Sequence, residues 1–512
     1  MSRIKRYQAG IHWVSAGNNG AGEYHPLPVL LKKAEVLELV GKWDGCRKIC
    51  VHCLKIEELR NNPAGMADAE TMLGNLNIAQ SDFSSAMDRY ARARQLSEQS
   101  GYLKGRARAM GGLARIALDT GDFNKAKEMY RDTLKLFQEM NDPQGMAGVL
   151  GSLGIAYSDT GESRKALEYY ARQMEICRAQ GDLRGVSRAK NNTGSAYKNL
   201  GDLGRAVECH QEALDLRRQL GDKPGISLIL GNLGLAYADM GREDEAMECY
   251  RQQLAISDEL DDLGAKAYIY GAIGVIWESR GRYQEAREYH QRQLDLSRRL
   301  GERIAESMAV ANLGMVHFRL GENEPAEKMF LEYLAMVLEM DDKAGLAWVK
   351  NCLANLCFRL NDNSRGEALL DEAIAMARDL DAKYHLCSFL SRRAERLEQD
   401  CQIEKASAVN AEAMDLAIFS RRKDVLFETE MTKMRLEYKT ASSPEGKGVI
   451  LATLEKKLGG AGVKEKSLIL FTLCQLDGTG KNREMALEAL KDVYRKNPDI
   501  YFLEKILEVE KT

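Results

Sequence analysis

GVLGSLGIAYSDTGESRKALEYY, residues 148–170, is a stretch that the chain repeats. Residues 228–250 read LILGNLGLAYADMGREDEAMECY, so the same landmarks return at a multiple of 40 positions. The landmarks are a small residue, a turn residue, a second small residue and a large or ring residue. The first small residue recurs in nine copies without insertion or deletion: Gly74, Ala114, Gly154, Gly194, Gly234, Gly274, Gly314, Ala354 and Ala394. This fixed period indicates a repeat protein.

Each landmark has a physical role in a pair of helices. Apolar residues at helical spacing on both sides of the turn predict two amphipathic helices, named A before the turn and B after it. A glycine at the turn, such as Gly161, accepts the left-handed backbone that ends a helix. Small residues such as Gly154 and Ala166 let helices A and B approach closely, and Tyr170 shares the face of Ala166. One pair cannot bury its own apolar face, so the pairs must stack.

Leu153-Gly154, Tyr157, Ala166 and Tyr170 stand at the spacing L-G-x-x-Y followed by A-x-x-x-F. The sequence therefore resembles the tetratricopeptide repeat (TPR) family over about residues 26–420. The usual TPR period is about 34 residues; the 40-residue period is similar to those of Pins/LGN-type scaffolds and bacterial signalling arrays. The resemblance implies an all-α superhelical solenoid of stacked antiparallel helix pairs, with the A helices lining a concave groove. The additional residues are expected to lengthen helix B and its exit loop.

We expect three regions along the chain. Residues 1–25 are expected to form a flexible N-terminal extension. Residues 26–440 would form the TPR solenoid of about ten helix pairs, and residues 441–512 a C-terminal helical cap. The cap is interrupted by GGAG at 459–462 and contains one repeat of TPR length at 467–500.

Composition excludes several classes of protein. The 512 residues include 73 Lys+Arg and 76 Asp+Glu, a net charge of −3, so the chain lacks the basic surplus of a nucleic-acid-binding protein. Its longest apolar run, 267–277, is too short to cross a membrane. The eleven cysteines are odd in number and irregularly spaced, which favours reduced thiols and a cytoplasmic location.

Three features that could carry chemistry each have a simpler structural explanation. Cys46, Cys50 and Cys53 share one helix face, but a structural zinc site usually takes ligands from two separated segments, and the first two cysteines occupy packing positions of the repeat. The stretch GGAGVKEKS at 459–467 lacks the G-K-[ST] ending of a phosphate-binding loop. The histidines are dispersed; His210 and His290 occupy ring positions of the repeat, and His317 the position equivalent to Tyr157. We therefore expect no metal, no cofactor and no enzymatic activity.

The candidate binding residues stand at positions that the repeat core does not require. In the TPR fold the groove-facing positions of helix A lie six and two residues before the first small residue and one after it. These positions are basic in the early repeats and apolar or aromatic in the later ones. The candidates are Arg108, Arg115, Arg188, Asn192, Asn232, Tyr268, Val275, Met308, Asn312, Met315 and Trp348.

The resemblance also implies a role for three asparagines. In TPR proteins an asparagine at the second groove position often hydrogen-bonds the backbone of a ligand, and Asn192, Asn232 and Asn312 match it. Ala272 between them departs from the pattern. The alternative is that these amides are solvated or bond locally. Likewise, the aromatic groove residues would be covered if the superhelix winds tightly or the C-terminal region folds back.

The leading hypothesis is a non-enzymatic protein–protein interaction scaffold. Its groove would bind a partner peptide or an amphipathic helix, with apolar residues against the later repeats and an acidic flank near Arg108, Arg115 and Arg188. The alternative is a regulatory or sensor module that controls a separate enzyme through a ligand-dependent change of the superhelix. Neither hypothesis involves nucleic acid or a membrane.

Overall fold

The structure is a computed structural model that describes residues 30–31, 33–34, 43–80 and 82–511. The predicted extension at 1–25 and the predicted turn residue Ser81 lie outside this part of the chain. Within it, 24 helices have defined bounds. They are α1 (Trp43–Leu59), α2 (Pro63–Ala79), α3 (Phe83–Gln99), α4 (Leu103–Asp119), α5 (Phe123–Glu139), α6 (Pro143–Asp159), α7 (Ser163–Ala179), α8 (Leu183–Asn199), α9 (Leu203–Gln219), α10 (Lys223–Asp239), α11 (Glu243–Leu260), α12 (Leu263–Ser279), α13 (Tyr283–Leu300), α14 (Arg303–Leu320), α15 (Asn323–Glu339), α16 (Lys343–Arg359), α17 (Asn363–Asp379), α18 (Lys383–Gln399), α19 (Ile403–Phe419), α20 (Lys423–Thr440), α21 (Pro444–Leu458), α22 (Val463–Asp477), α23 (Gly480–Lys496) and α24 (Ile500–Lys511).

Left-handed residues separate the helices of the repeats. They recur at spacings of 20 or 40 residues with φ between 49° and 82°. The predicted left-handed turn after helix A is confirmed, and the same turn also ends helix B. The expected longer exit loop after helix B is wrong, because the turns around Gly161 and Gly181 are equally short. The turn residues with positive φ are Asn61, Gly101, Gly121, Asn141, Gly161, Gly181, Gly201, Gly221, Gly241, Asp261, Gly281, Gly301, Gly321, Asp341, Asn361, Asp381, Cys401 and Arg421.

An aspartate after the left-handed residue starts many of the helices. Its carboxylate accepts a hydrogen bond from the backbone N–H three residues further on, as Asp142 does from Gly145 at 2.9 Å. A cap of this kind stabilises a helix by about 1 kcal/mol. The capping aspartates are Asp82, Asp122, Asp142, Asp182, Asp202, Asp222, Asp262, Asp342 and Asp362.

The small landmark residues make room for the rings of helix B. A Cβ added at Gly154 would lie 2.2 Å from the Tyr170 ring, and one at Gly314 would lie 2.8 Å from the Phe330 ring. Ala166, the second small residue, is fully buried. The predicted close approach of helices A and B is therefore confirmed at these pairs.

Replacing Ala166 by phenylalanine is expected to lower the free energy of unfolding by about 1–3 kcal/mol, because a well-packed contact has no room for the ring. Urea unfolding measures the loss. The matched control is Arg172→Phe on the same helix, where the side chain is exposed and the change should be close to neutral. If the two variants unfold alike, the register assigned to the repeat is wrong.

The described chain divides into two compact units, the first ending at residue 240 and the second beginning at residue 241. The predicted boundary at 440 stays a prediction. In each unit consecutive A helices contact one another, as α6 and α8 do in the first and α14 and α16 in the second. Consecutive B helices make no comparable contact in the described part of the chain. Each stack therefore curves towards its A helices, whose outward faces form what we call the A-helix surface of that unit.

The second unit ends in three helices that form a small core of their own. Helices α22, α23 and α24 pack around Phe471, Leu490, Val493, Phe502 and Ile506. We call residues 463–511 the C-terminal bundle. In the part of the chain that the structure describes, no helix combines the length and the apolar character needed to cross a membrane.

Candidate binding surfaces on the A helices

Two of the predicted groove cations in the first unit already have carboxylate partners. Arg108 Nη1 lies 3.4 Å from Asp68 Oδ1, and Tyr102 donates a 3.2 Å hydrogen bond to Asp68 Oδ2. Burial raises the pKa of Asp68, and the Arg108 guanidinium opposes this shift. Arg115 Nε lies 3.5 Å from Asp119 Oδ2. These internal pairs reduce the positive charge that Arg108 and Arg115 present to a partner.

The other polar candidates of the first unit differ in exposure and in whether their side chains already have ion-pair or hydrogen-bond partners. Arg188 is exposed and makes no ion pair with a described residue. Asn192 is half-buried. Asn232 donates a 3.1 Å hydrogen bond to Asn191 Oδ1, which also lies 3.0 Å from His210 Nδ1. Local bonding thus accounts for one donor of Asn232, and its second N–H stays available.

Apolar side chains accompany Arg188 on the A-helix surface of the first unit. Leu228 and Leu235, at the first and third groove positions of α10, are 62% and 44% exposed. Helix α10 contacts α8, which carries Arg188. The candidate set omitted both leucines although they stand at the same positions as the residues that it names. The A-helix surface of the first unit therefore combines an apolar patch, Leu228 and Leu235, with Arg188, which has no ion-pair partner among the described residues.

The second unit carries a more continuous apolar surface. Tyr268 and Val275 of α12 are 51% and 52% exposed, and Met308 of the neighbouring α14 is 47% exposed. We call these three residues the apolar strip. Exposed side chains of this size on adjacent helices are typical of a partner-binding surface.

Trp348 and Met315 are less exposed than the residues of the apolar strip. Trp348 is half-buried, with its ring edge-to-face against Phe330 at 6.3 Å and Tyr333 at 5.6 Å between centroids. Met315 is half-buried against the core cluster that contains Phe330. Both residues therefore belong partly to the packing of the repeats and only partly to the A-helix surface.

Asn312 takes part in a chain of polar contacts below the apolar strip. Its Nδ2 lies 3.5 Å from His290 Nδ1, and His290 Nε2 lies 2.7 Å from Glu278 Oε1. The His290 ring is fully buried, and a Cβ at Gly274 would lie 2.4 Å from it. This imidazole fills the ring position of the repeat, so the contacts with Asn312 and Glu278 satisfy its nitrogens.

The groove positions continue two repeats beyond the last predicted candidate and become charged. They place Arg392 and Glu395 on α18 and Glu428 and Arg435 on α20, which we call the charged segment. Arg392 Nη1 pairs with Glu395 Oε2 at 2.8 Å. The Glu428 side chain is exposed but has many protein atoms around it. The partial loss of hydration that they cause, together with the nearby Glu395 carboxylate, raises the pKa of Glu428 to about 7. Extending the same spacing along the sequence would have found all four residues.

The features that suggested chemistry have structural roles. Cys46, Cys50 and Cys53 are buried in a core cluster with Leu73 and Leu76. Among the described residues, no group of three histidine, cysteine or acidic side chains is arranged to hold a metal ion. The stretch at 459–467 forms the connection from α21 to α22 and the first turn of α22.

Comparison with known proteins identifies the repeat. The family model for the tetratricopeptide repeat matches residues 65–139, 105–179, 145–218, 185–259 and 265–339, more than half of the chain. No curated protein sequence matches the chain significantly.

Two solved structures share the fold at low sequence identity. The apo form of the quorum sensor NprR from B. thuringiensis is 16% identical, with 70% of this chain and 99% of that chain covered and a TM-score of 0.51. A Rap protein complexed with competence and sporulation factor is 14% identical, with coverage of 70% and 99% and a TM-score of 0.50. Together with the repeat geometry and the family match, this shows that the chain is an all-α TPR solenoid and belongs to the tetratricopeptide repeat family.

Proposed function

We propose that the protein is a non-enzymatic scaffold that binds a partner peptide or amphipathic helix on the A-helix surfaces of its two units. The apolar strip of the second unit is the observation that carries this proposal. About half of the surface of each of its residues, Tyr268, Val275 and Met308, is exposed, at positions that the packing of the repeats does not require. The cytoplasmic location expected from the cysteines is part of the same proposal.

The chemistry of each surface suggests its ligand. Tyr268 and Val275 are seven residues apart on α12, so together with Met308 they match the apolar face of a helix or extended segment. In the first unit, the exposed Arg188 beside Leu228 and Leu235 favours an apolar segment with an acidic flank. Arg108 and Arg115 contribute less to this flank because each already has a carboxylate partner.

A second candidate function is a regulatory or sensor module. The shared fold with NprR, described as a quorum sensor, and with a Rap protein complexed with competence and sporulation factor favours it. A ligand would then change the pitch of the superhelix and so control a separate enzyme. Small-angle scattering distinguishes the two functions, since a sensor compacts on binding its ligand and a scaffold captures a stoichiometric protein without compaction.

A photo-crosslinking amino acid at position 268 tests the scaffold function in the native cell. We expect it to capture one stoichiometric protein, which mass spectrometry identifies. The matched control is position 292, an exposed residue of the neighbouring B helix α13, which should capture none of that protein. Equal capture at both positions would reject the A-helix surface as the binding site.

Tyr268→Ala is expected to weaken binding of a peptide from the captured protein by roughly 30-fold, about 2 kcal/mol, as truncation of an aromatic anchor does. The melting temperature should hardly change, because about half of the Tyr268 side chain is exposed. Isothermal titration calorimetry and thermal melting of the same sample measure both effects. A lowered melting temperature with unchanged affinity would show that Tyr268 serves the fold.

A further inference from the structure

Three cations of the first unit surround one tyrosine between two B helices. Tyr157, near the end of α6, lies with its ring between α5 and α7. Lys127 Nζ and the Arg131 guanidinium of α5 lie 4.6 and 5.9 Å from the centre of this ring, and Lys165 Nζ of α7 lies 5.4 Å from it. The cation–tyrosine cluster, as we call it, consists of Lys127, Arg131, Tyr157, Glu162, Lys165 and Tyr169.

The two tyrosines of the cluster differ in their access to water. Tyr169 stacks on Tyr157 with 5.2 Å between ring centroids and 11° between the rings. The Tyr157 ring is 4% exposed, and its hydroxyl accepts a hydrogen bond from Arg131 Nη2. Tyr169 is half-buried, and Arg131 and Lys165 are exposed. Tyr157 therefore forms the floor of the cluster, and the other three side chains form a rim that a solute can reach.

The cluster contains a single carboxylate. Glu162 Oε1 lies 2.8 Å from Lys127 Nζ, and Glu162 Oε2 lies 2.5 Å from Lys165 Nζ. Hydrogen bonds from these two lysines lower the pKa of Glu162 to about 2, so the carboxylate is ionised at neutral pH. Each of its oxygens is bound to one lysine, and Arg131 pairs with no carboxylate of the described chain. The cluster therefore has an excess of two positive charges.

Neighbouring carboxylates do not remove this excess. Glu128 and Glu168 stand one helical turn from Arg131 and Lys165, but they are exposed and make no ion pair with a described residue. Asp132 pairs at 2.9 Å with a lysine of its own helix. Three cations around one ring repel each other, although each is attracted to the ring face. A bound anion would relieve this repulsion.

Two later repeats carry cations beside an aromatic ring at the same position and balance them internally. Arg205 lies 4.7 Å from the centre of the Tyr197 ring and pairs with the aspartate that caps its own helix. Arg280 lies 5.3 Å from the centre of the Trp277 ring and pairs with two carboxylates of the preceding B helix. Arg131 differs from both because none of the described carboxylates pairs with it. Packing of the repeat therefore does not explain an unbalanced arginine at this place.

Lys127 is a second departure from the repeat. The equivalent residues of the next three repeats are apolar: Leu167, Val207 and Met247. Lys127 is only 6% exposed, and a buried ammonium group costs free energy unless it is paired. Since an apolar side chain serves the packing elsewhere, the charge of Lys127 serves the electrostatics of the cluster, where it binds Glu162 and leaves Arg131 unpaired.

We infer that the cation–tyrosine cluster binds a phosphoryl group between Arg131, Lys165 and Tyr169. The Arg131 guanidinium has five N–H donors in a planar fork that suits phosphate oxygens, and the hydrogen bond to Tyr157 uses one of them. The excess of two positive charges matches the charge of about −1.5 to −2 that a phosphate monoester carries at pH 7. The phosphoryl group belongs either to free inorganic phosphate or to a phosphorylated side chain of a partner protein.

Isothermal titration calorimetry of the full chain at constant ionic strength tests the inference. The probes are inorganic phosphate and a blocked Gly-phosphoserine-Gly tripeptide, and we expect saturable binding of one equivalent. Arg131→Gln is expected to weaken binding at least roughly tenfold, because it removes the unpaired charge and its donors. The matched control is Arg172→Gln, which removes the same charge from an exposed position of α7 outside the cluster and should change the affinity less than about twofold.

The two probes distinguish the sources of the phosphoryl group. Binding of the tripeptide at least roughly tenfold tighter than that of inorganic phosphate assigns the site to a phosphorylated partner, whose backbone adds contacts. Equal or weaker binding of the tripeptide assigns it to the free ion. Tyr169→Phe should weaken both probes, because burial raises the pKa of Tyr169 and its hydroxyl keeps the proton that it donates.

Three results would overturn the inference. They are the absence of saturable binding to the parent chain, equal affinities of the Arg131→Gln and Arg172→Gln variants, and displacement of phosphate by acetate at equal concentration, which would indicate charge screening alone. Circular dichroism confirms that Arg131→Gln is folded, and Lys165→Gln is the second variant that should weaken binding. The cluster lies on B helices of the first unit, so none of these results affects the crosslink at position 268.

Discussion

Replacing Trp348 by alanine is expected to lower the free energy of unfolding by about 3 kcal/mol. The ring packs edge-to-face on Phe330, which is fully buried, and on Tyr333. Removing it leaves a hole beside Phe330 that the rigid helix pair fills only in part. Urea unfolding of the full chain followed by circular dichroism measures the loss.

The matched control is Met308→Ala, which changes the same groove position in the preceding repeat. Met308 is about half exposed, and its truncation should cost less than about 1 kcal/mol. Equal stability of the Trp348→Ala and Met308→Ala variants would contradict the packing role. If Trp348→Ala instead abolished partner binding at unchanged stability, Trp348 would be a binding residue only, as its sequence position suggests.

Acidification from pH 7 to pH 4 is expected to destabilise the parent chain by about 3 kcal/mol more than the His210→Tyr variant. Burial, with a smaller contribution from Lys198, lowers the pKa of His210 to about 4. The imidazole lies 3.0 Å from Asn191 Oδ1 and is 1% exposed, so the folded chain holds it neutral.

The sign of this effect follows from proton uptake. An unfolded histidine binds a proton near its ordinary pKa of about 6.5, before the folded one does. The stability that neutral His210 preserves is therefore complete above about pH 6.5, is lost as the pH falls, and levels off below about pH 4. Tyrosine occupies the same position in other repeats, at Tyr130 and Tyr170, so His210→Tyr keeps the packing and removes the titration.

Unfolding midpoints at several pH values check this prediction. The matched control is His52→Gln, which removes an exposed imidazole from α1 and should leave the pH profile of the parent unchanged. A His210→Tyr variant that loses stability with acid as steeply as the parent would show that other groups cause the loss.

The repeat architecture was predictable because each of its signals is local. The spacing of Gly154, Gly161, Ala166 and Tyr170 reports the A–B contact and the turn, both of which form within one repeat. The sequence predicted the left-handed turns after the A helices but not those after the B helices, which together give the 20-residue spacing. Asp261 and Arg421 occupy turns after helix B that carry no glycine, so the residue type did not reveal them.

The sequence predicted the exposure of several candidate binding residues, but it did not predict which other side chains they contact. Tyr268, Val275 and Met308 expose the apolar surface that their register predicts. The partners of Arg108 and Asn232 could not be read from spacing alone, because Asp68 and Asn191 belong to preceding repeats and meet them only after stacking.

The contacts of α24 were the least predictable feature. Asp499 meets Tyr283 across more than two hundred residues of sequence, and nothing in the repeat period relates the two. The sequence raised a fold-back of the C-terminal region only as an alternative that would cover the aromatic residues. The structure instead joins α24 to Tyr283, Arg319 and Arg359, at the ends of α13, α14 and α16, and leaves the apolar strip exposed.

Hydrogen exchange of the full chain, with and without the protein captured at position 268, tests the central claim that partners bind the A-helix surface. We expect the bound partner to slow exchange in α12 and α14, which carry the apolar strip, and to leave the intervening B helix α13 unchanged. Slowed exchange confined to the B helices, with α12 and α14 unaffected, would contradict the account.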